Sequence, residues 1–188
     1  MAIKTFTTGE VLTASDTNTY LANSGLVYIT EAALSTTALD GIFTSTYDNY
    51  RIVVNNIITS GAGGLVRFQF RDTSNATLNS GNYLAGTLRY DSSSTAYNYG
   101  TTATGTGETG INTSTTLNYA GFTMDVLAPR LTASTSALVS GMGVITGPST
   151  VTTACTFQLT TACAGIIFSL SAGAFAGGRV FVYGYRKA

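Results

Sequence analysis

Val66, Phe68 and Phe70 alternate with Arg67, Gln69 and Arg71, and a two-residue period returns near the end of the chain in RVFVYGYR, Arg179 to Arg186. Successive side chains of a β-strand point to opposite faces, so this spacing specifies strands and excludes a helix, whose period is about 3.6 residues. In YDNYRIVVNNII the residues Tyr50, Ile52 and Val54 share a face with Ile58. Ser60, Gly61, Gly63 and Gly64 follow as a turn, so this strand and the Val66–Phe70 strand read as a hairpin. Further strands are expected over 26–30, 83–90, 118–126, 138–145, 153–159 and 166–170, with a glycine-rich turn from Gly173 to Gly178. The second and third of these alternate like the first, with Leu84, Leu88 and Tyr90 opposite Arg89, and with Ala120, Phe122, Met124 and Val126 in step. Roughly seven to nine short strands separated by turn signals predict an all-β fold, an antiparallel β-sandwich (jelly-roll-like) with a short N-terminal helical arm.

The arm is the one stretch with a helical pattern. In FTTGEVLTASDTNTYLANSG, Thr13 and Asp16 make a capping box and Asn23 with Gly25 supplies a stop. A helix of about ten residues is marginal alone in water. Its apolar side chains therefore need another surface, a partner's or that of the chain's own body. Residues 1–25 are read as a docking arm that uses Phe6, Val11, Leu12, Tyr20 and Leu21, with Leu26 at its junction to a body spanning 26–188.

Between Asp91 and Thr116 the chain is nearly all Ser, Thr, Gly and Tyr, with almost no aliphatic residue before Ile111. Such a segment is expected to be a long exposed loop, or a rim ordered by a neighbouring copy. Tyr83, Tyr90, Tyr97, Tyr99 and Tyr119 gather around it in sequence, and tyrosine offers a rigid contact surface with a hydroxyl. In the last strand Phe181, Tyr183 and Tyr185 face one way and Val180 and Val182 the other. These eight aromatic residues are the candidates for receptor or subunit contact, against a plain role at the sandwich edges and in its core.

Charge narrows the function classes. Of 188 residues only 10% are charged, nine basic against nine acidic, while 44% are hydrophobic. A net charge of zero gives no counterion-release drive toward nucleic acid and no polybasic patch for anionic lipid, so neither nucleic acid nor membrane is an expected partner. The sequence contains no histidine, which removes the commonest general base and metal ligand, and no cofactor is expected. Cys155 and Cys163 are expected as free buried thiols. Carboxylates alone can run glycoside hydrolysis, for which Asp48, Asp72, Asp91, Glu108 and Asp125 are the candidates, but each also has a turn or surface-strand explanation. The expectation is a protein that is not an enzyme.

The opening FTTGEVLTASDTNTYLANSGLVY resembles the N-terminal segment of small virion proteins of tailed bacteriophages, where such a segment precedes bodies of differing sequence. The body, with YDNYRIVV near its start and FAGGRVFVYGYRKA at its end, is similar to β-sandwich modules of phage fibre and head-surface proteins. The resemblance implies a structural protein, made in the host cytoplasm and carried on the virion, commonly as a homotrimer. Its partners would be other virion proteins, the major capsid protein or tail proteins, with a host surface glycan as a further candidate. The chain lacks the heptads of a fibre shaft, which favours a compact capsid decoration or cement protein over a short tail-fibre adhesin. A free carbohydrate-binding or hydrolytic module is the competing class.

Overall fold

The structure, a computed structural model, describes residues 7–11, 13, 25–35, 38–79, 81–92, 96–117, 120–144 and 147–186. Eleven strands run through them: β1 (Leu26–Ala33), β2 (Asn49–Ser60), β3 (Leu65–Asp72), β4 (Tyr83–Asp91), β5 (Ala96–Thr104), β6 (Gly107–Asn112), β7 (Ala120–Leu127), β8 (Thr135–Val144), β9 (Pro148–Phe157), β10 (Cys163–Leu170) and β11 (Ala174–Tyr185). Eight form one sheet in the order β1-β11-β2-β7-β8-β9-β4-β5, and three form a second in the order β10-β3-β6. Every ladder is antiparallel. The small sheet lies over the middle of the large one, β6 against β9, β4 and β8, and β10 beside β11. The segment from Leu39 to Phe43 bonds along the free side of β10, where Leu39 N–H donates to Ile166 O at 2.8 Å and Phe43 N–H to Ala164 O at 3.0 Å.

The alternation of the sequence is the alternation of the core. Tyr50, Ile52 and Val54 of β2, Phe122, Met124 and Val126 of β7, and Val66, Phe68 and Phe70 of β3 all point into one buried cluster between the sheets. At its centre the Tyr83 ring lies 4.7 Å from that of Phe157 and 6.2 Å from that of Phe70. Both core tyrosines satisfy their hydroxyls on nearby loop backbone. Tyr50 donates to Thr44 O at 2.8 Å, and Tyr83 donates to Leu78 O at 2.9 Å while accepting from Phe70 N–H at 2.7 Å.

Several expectations are overturned, one of them by a slip of register: β2 shifts against β7 between Val54 and Ile57, so Ile57 joins Tyr50, Ile52 and Val54 in the core in place of Ile58. The β2–β3 pair is not a hairpin: β2 belongs to the large sheet and β3 to the small one, so Gly61 to Gly64 carries the chain across the core. A Cβ at Gly63 would stand 2.2 Å from Thr113 O, so the crossing needs glycine where two backbones meet. β9 and β10, also consecutive, likewise lie in different sheets. The Ser/Thr/Gly segment is no exposed loop, because it folds as β5 at the edge of the large sheet and β6 buried in the small one. Hydrogen bonds replace aliphatic packing around β6: Thr109 donates to Val66 O at 2.7 Å, and Thr153 of β9, itself paired with Thr87 of β4 at 2.8 Å, donates to Thr109 O at 2.9 Å. Finally, Gly173 to Gly178 is not a turn throughout. Ala174 already begins β11, and Gly177 and Gly178 take up register shifts against β2.

Candidate interaction face

Among the described residues the small sheet covers one face of the eight strands, and nothing packs on the other. Outward positions follow from register. Tyr28 of β1 stands beside Tyr183 of β11, then Arg51 of β2, Asp125 of β7, Leu138 of β8, Ala154 of β9, Gly86 of β4 and Gly100 of β5. Around this row the face carries Leu88, Leu127, Leu138 and Met142 with 42–48% of their surface exposed, and Tyr28 and Tyr90 with more than half. Serine, threonine and glycine fill most of the space between them. An antiparallel sheet with a solvated face ordinarily alternates apolar inside with polar outside. Exposed leucine, methionine and tyrosine set among those small polar residues depart from that pattern and mark this face as a candidate site of contact.

A polar clamp sits near the middle. Arg51 grips Asp125 with two parallel bonds, Nε to Oδ1 and Nη2 to Oδ2, both at 2.7 Å, and Tyr185 donates its hydroxyl to the same Oδ1 at 2.7 Å. The guanidinium also lies over the Tyr185 ring, 5.5 Å from its centroid. The Arg51 hydrogen bonds hold the Asp125 carboxyl below the usual range, and the same bonds raise Arg51 further. Burial, then the bond to Asp125, pushes the Tyr185 phenol up. The charges cancel within the clamp, so the face gains directional bonding and an aromatic surface without net charge. A second cross-strand pair, Arg179 with Glu31, does the same near the β1 edge.

The sequence candidates divide sharply. Phe181, Tyr183 and Tyr185 lie half-buried on the open face, and Tyr90 is exposed on it. Tyr99 is half-buried in β5, and Tyr97 lies in the same strand opposite Arg89. Tyr83 is a correction: it is fully buried in the core, its ring and hydroxyl both committed there, and it offers nothing to a receptor. Tyr119 lies outside the described residues, as do Phe6, Leu12, Tyr20 and Leu21 of the arm. Of the arm, the structure describes a turn in which Glu10 N–H donates to Thr7 O at 3.0 Å, and Val11, which is exposed. Leu26 opens β1 with 41% of its surface accessible. Sequence reasoning missed Arg51, Leu88, Leu127, Leu138 and Met142. Leu88 and Tyr90 stand on the side of β4 read as apolar, and that side faces outward; for Leu127 the signal is an apolar residue out of step with Ala120, Phe122, Met124 and Val126.

The carboxylates do not converge. Asp72 caps its own turn, accepting from Ser74 N–H at 2.8 Å and from Ala76 N–H at 2.9 Å. Glu108 is buried beside Arg67 at 3.3 Å, while Asp125 is held in the clamp on the opposite side of the large sheet. Among the described residues no three His, Cys, Asp or Glu side chains gather as a metal site requires. Cys155 and Cys163 are both free and buried, and burial pushes their thiols up to about 12 and about 11. The chain matches no protein-family model, no curated protein and no solved structure.

Proposed function

We propose that this chain is a non-enzymatic structural protein of a tailed-bacteriophage virion, a capsid decoration or cement protein whose arm docks on the particle and whose jelly-roll-like body packs against neighbours. The observation that carries this reading is the open face of the eight-stranded sheet, broad, dotted with exposed leucine, methionine and tyrosine, and free of net charge in its paired side chains. A face of that kind is costly to leave in water and gains by being covered, which suits a protein held in an array. The sequence resemblance at the two ends supplies the virion context. The alternative position is the tail, as a short fibre or adhesin, with a host glycan as ligand.

Gold-labelled antibody to the body, applied to particles of the phage that encodes the chain, tests both. Many labels spread over the head are expected; label confined to the tail tip selects the adhesin, and particles without label end the virion reading. Deleting residues 1–25 sharpens the role of the arm. The expected outcome is a body that folds with an unchanged thermal midpoint and no longer joins the particle. A body that fails to fold would place the arm in the core instead.

A further inference from the structure

Resting on the reading of the open face as a docking surface, we infer that its occupant is a second copy of this chain, packed face to face about a two-fold axis parallel to the strands. Relief along a single row of the face is self-complementary about such an axis. At the β1 end stand Tyr28 and Tyr183, their rings edge to face at 5.9 Å, a ridge of two aromatic side chains. At the β5 end the same row runs down to Ala154, Gly86 and Gly100, which floor a shallow, open depression bordered by Leu88 and Leu138. Such an axis reverses strand order and preserves strand direction, so it sets β1 over β5, β11 over β4, β2 over β9 and β7 over β8 of the facing copy. Tyr28 and Tyr183 of each copy then stand over Gly100 and Gly86 of the other. Leu138 of the facing copy comes over a second shallow hollow lined by Asn49, Asp125, Leu127, Leu138 and Tyr185, so the two Leu138 side chains meet beside the axis.

Electrostatics and area agree. Arg51 with Asp125 and Arg179 with Glu31 are paired within each copy, so two such faces meet without like-charge repulsion. With strands about 4.8 Å apart and about six residues of each at about 3.4 Å, the face measures roughly 34 by 20 Å. That is roughly 700 Å² per copy and about 1,400 Å² in all, within the range of about 1,200–2,000 Å² for stable specific complexes. Aromatic anchors over small-residue pockets, with an Arg–Tyr cluster near the centre, are the composition of an interface core. The symmetry is two-fold, where the resemblance implies three.

Light scattering on the full purified chain across a concentration series tests this. A dimer is expected, and a monomer throughout, or a trimer, overturns it. Gly86→Arg is the decisive variant, because a Cβ at Gly86 meets nothing within 4 Å and the single copy accommodates the side chain. Gly86→Arg should keep the native thermal midpoint of the dilute protein and weaken pairing at least about thirtyfold, the loss of one interface hot spot. Leu138→Arg, in the middle of the row, should do the same. A dimer that withstands both is held by another surface, and the inference fails. The virion reading fails separately: a chain monomeric in solution that still labels the head ends the pairing alone, whereas a Gly86→Arg-sensitive dimer absent from particles upholds the pairing and ends the virion assignment.

Discussion

The two faces of the eight-stranded sheet come from the same strands, and neighbouring residues alternate between them. Inward, Tyr50, Ile52, Phe122, Met124, Val139 and Val151 are covered by the small sheet and buried. Outward, Leu88, Leu127, Leu138 and Met142 are nearly as apolar and about half exposed. The difference is in cover and also in composition, since serine, threonine and glycine separate the outward apolar residues while the inward ones form one cluster. A face meant for water is protected by charge, particularly on broad sheets that could associate edge or face. Here the charges present are spent on each other, and the face keeps its appetite for an apolar surface.

The largest effect that could break this contrast is a paired truncation on adjacent strands. Phe122→Ala removes a buried ring from the inner face of β7 and should cost about 3–5 kcal/mol. Leu138→Ala on the outer face of β8, measured at a concentration low enough to keep copies apart, should fall within about 0.5 kcal/mol of the parent. Urea titration reads both. Comparable losses would mean that the outer face is already packed within one copy.

Next in size is Gly110→Ala in β6. Gly110 has φ of +75°, and a Cβ there would stand 2.6 Å from both Thr153 Oγ1 and Val151 Cγ1. Left-handed strain and overpacking together should cost about 2–4 kcal/mol, again by urea titration. A neutral result would mean that β6 does not press on the inner face as described.

That residue also shows where the sequence stopped being readable. β2, β3, β7 and β11 announce themselves, because aromatic and β-branched residues alternate with polar ones and the pleat translates that into burial. β5 and β6 carry no such pattern. The tight approach of β6 to β9 selects glycine and threonine, and its burial is supported by hydroxyl bonds that a hydrophobic reading does not count. Alternation also says that a strand has an inner face without saying which sheet it joins, so a crossing at Gly61 to Gly64 looked like a hairpin turn. Asp125 and Arg51 meet only through the pairing of β2 with β7, 74 positions apart, and no local signal links them. The open face itself was half legible: Phe181, Tyr183 and Tyr185 were on it from the start, while the leucines of β7 and β8 acquire meaning only once the register aligns them.

A smaller effect separates the faces by pH. Arg51 lowers the folded-state proton affinity of Asp125 relative to the unfolded chain, where an aspartate titrates near about 3.9. Its contribution is therefore full above that value and is lost as pH falls through the lower, folded one. Tyr185 works in the opposite sense, contributing fully below about 10 and losing its share as pH rises through its raised folded value. With the clamp partly open to solvent, each share should be under about 1 kcal/mol. Asp125→Asn should flatten the acid limb of a stability-against-pH curve by lowering the neutral plateau by up to about 1 kcal/mol, so that parent and variant converge in acid. An acid limb identical to the parent's would show that the clamp contributes nothing to folding of the single copy.

The smallest expected change in stability belongs to the sharpest comparison of position. Ala154 and Cys155 are consecutive in β9, the first exposed on the outer face and the second buried on the inner. Burial pushes the Cys155 thiol up to about 12 and that of Cys163 up to about 11, so at pH 8 both are protonated as well as shielded. A chromogenic disulfide reagent should find no fast thiol in the native chain and two after denaturation. Ala154→Cys should add one thiol that reacts at the rate of a free cysteine, with the thermal midpoint unmoved. It should also slow as protein concentration rises, since Ala154 lies on the floor of the depression that a facing copy would cover. A fast native thiol in the parent would show that the inner face opens readily, and a concentration-independent rate in the variant would show that nothing covers the outer one.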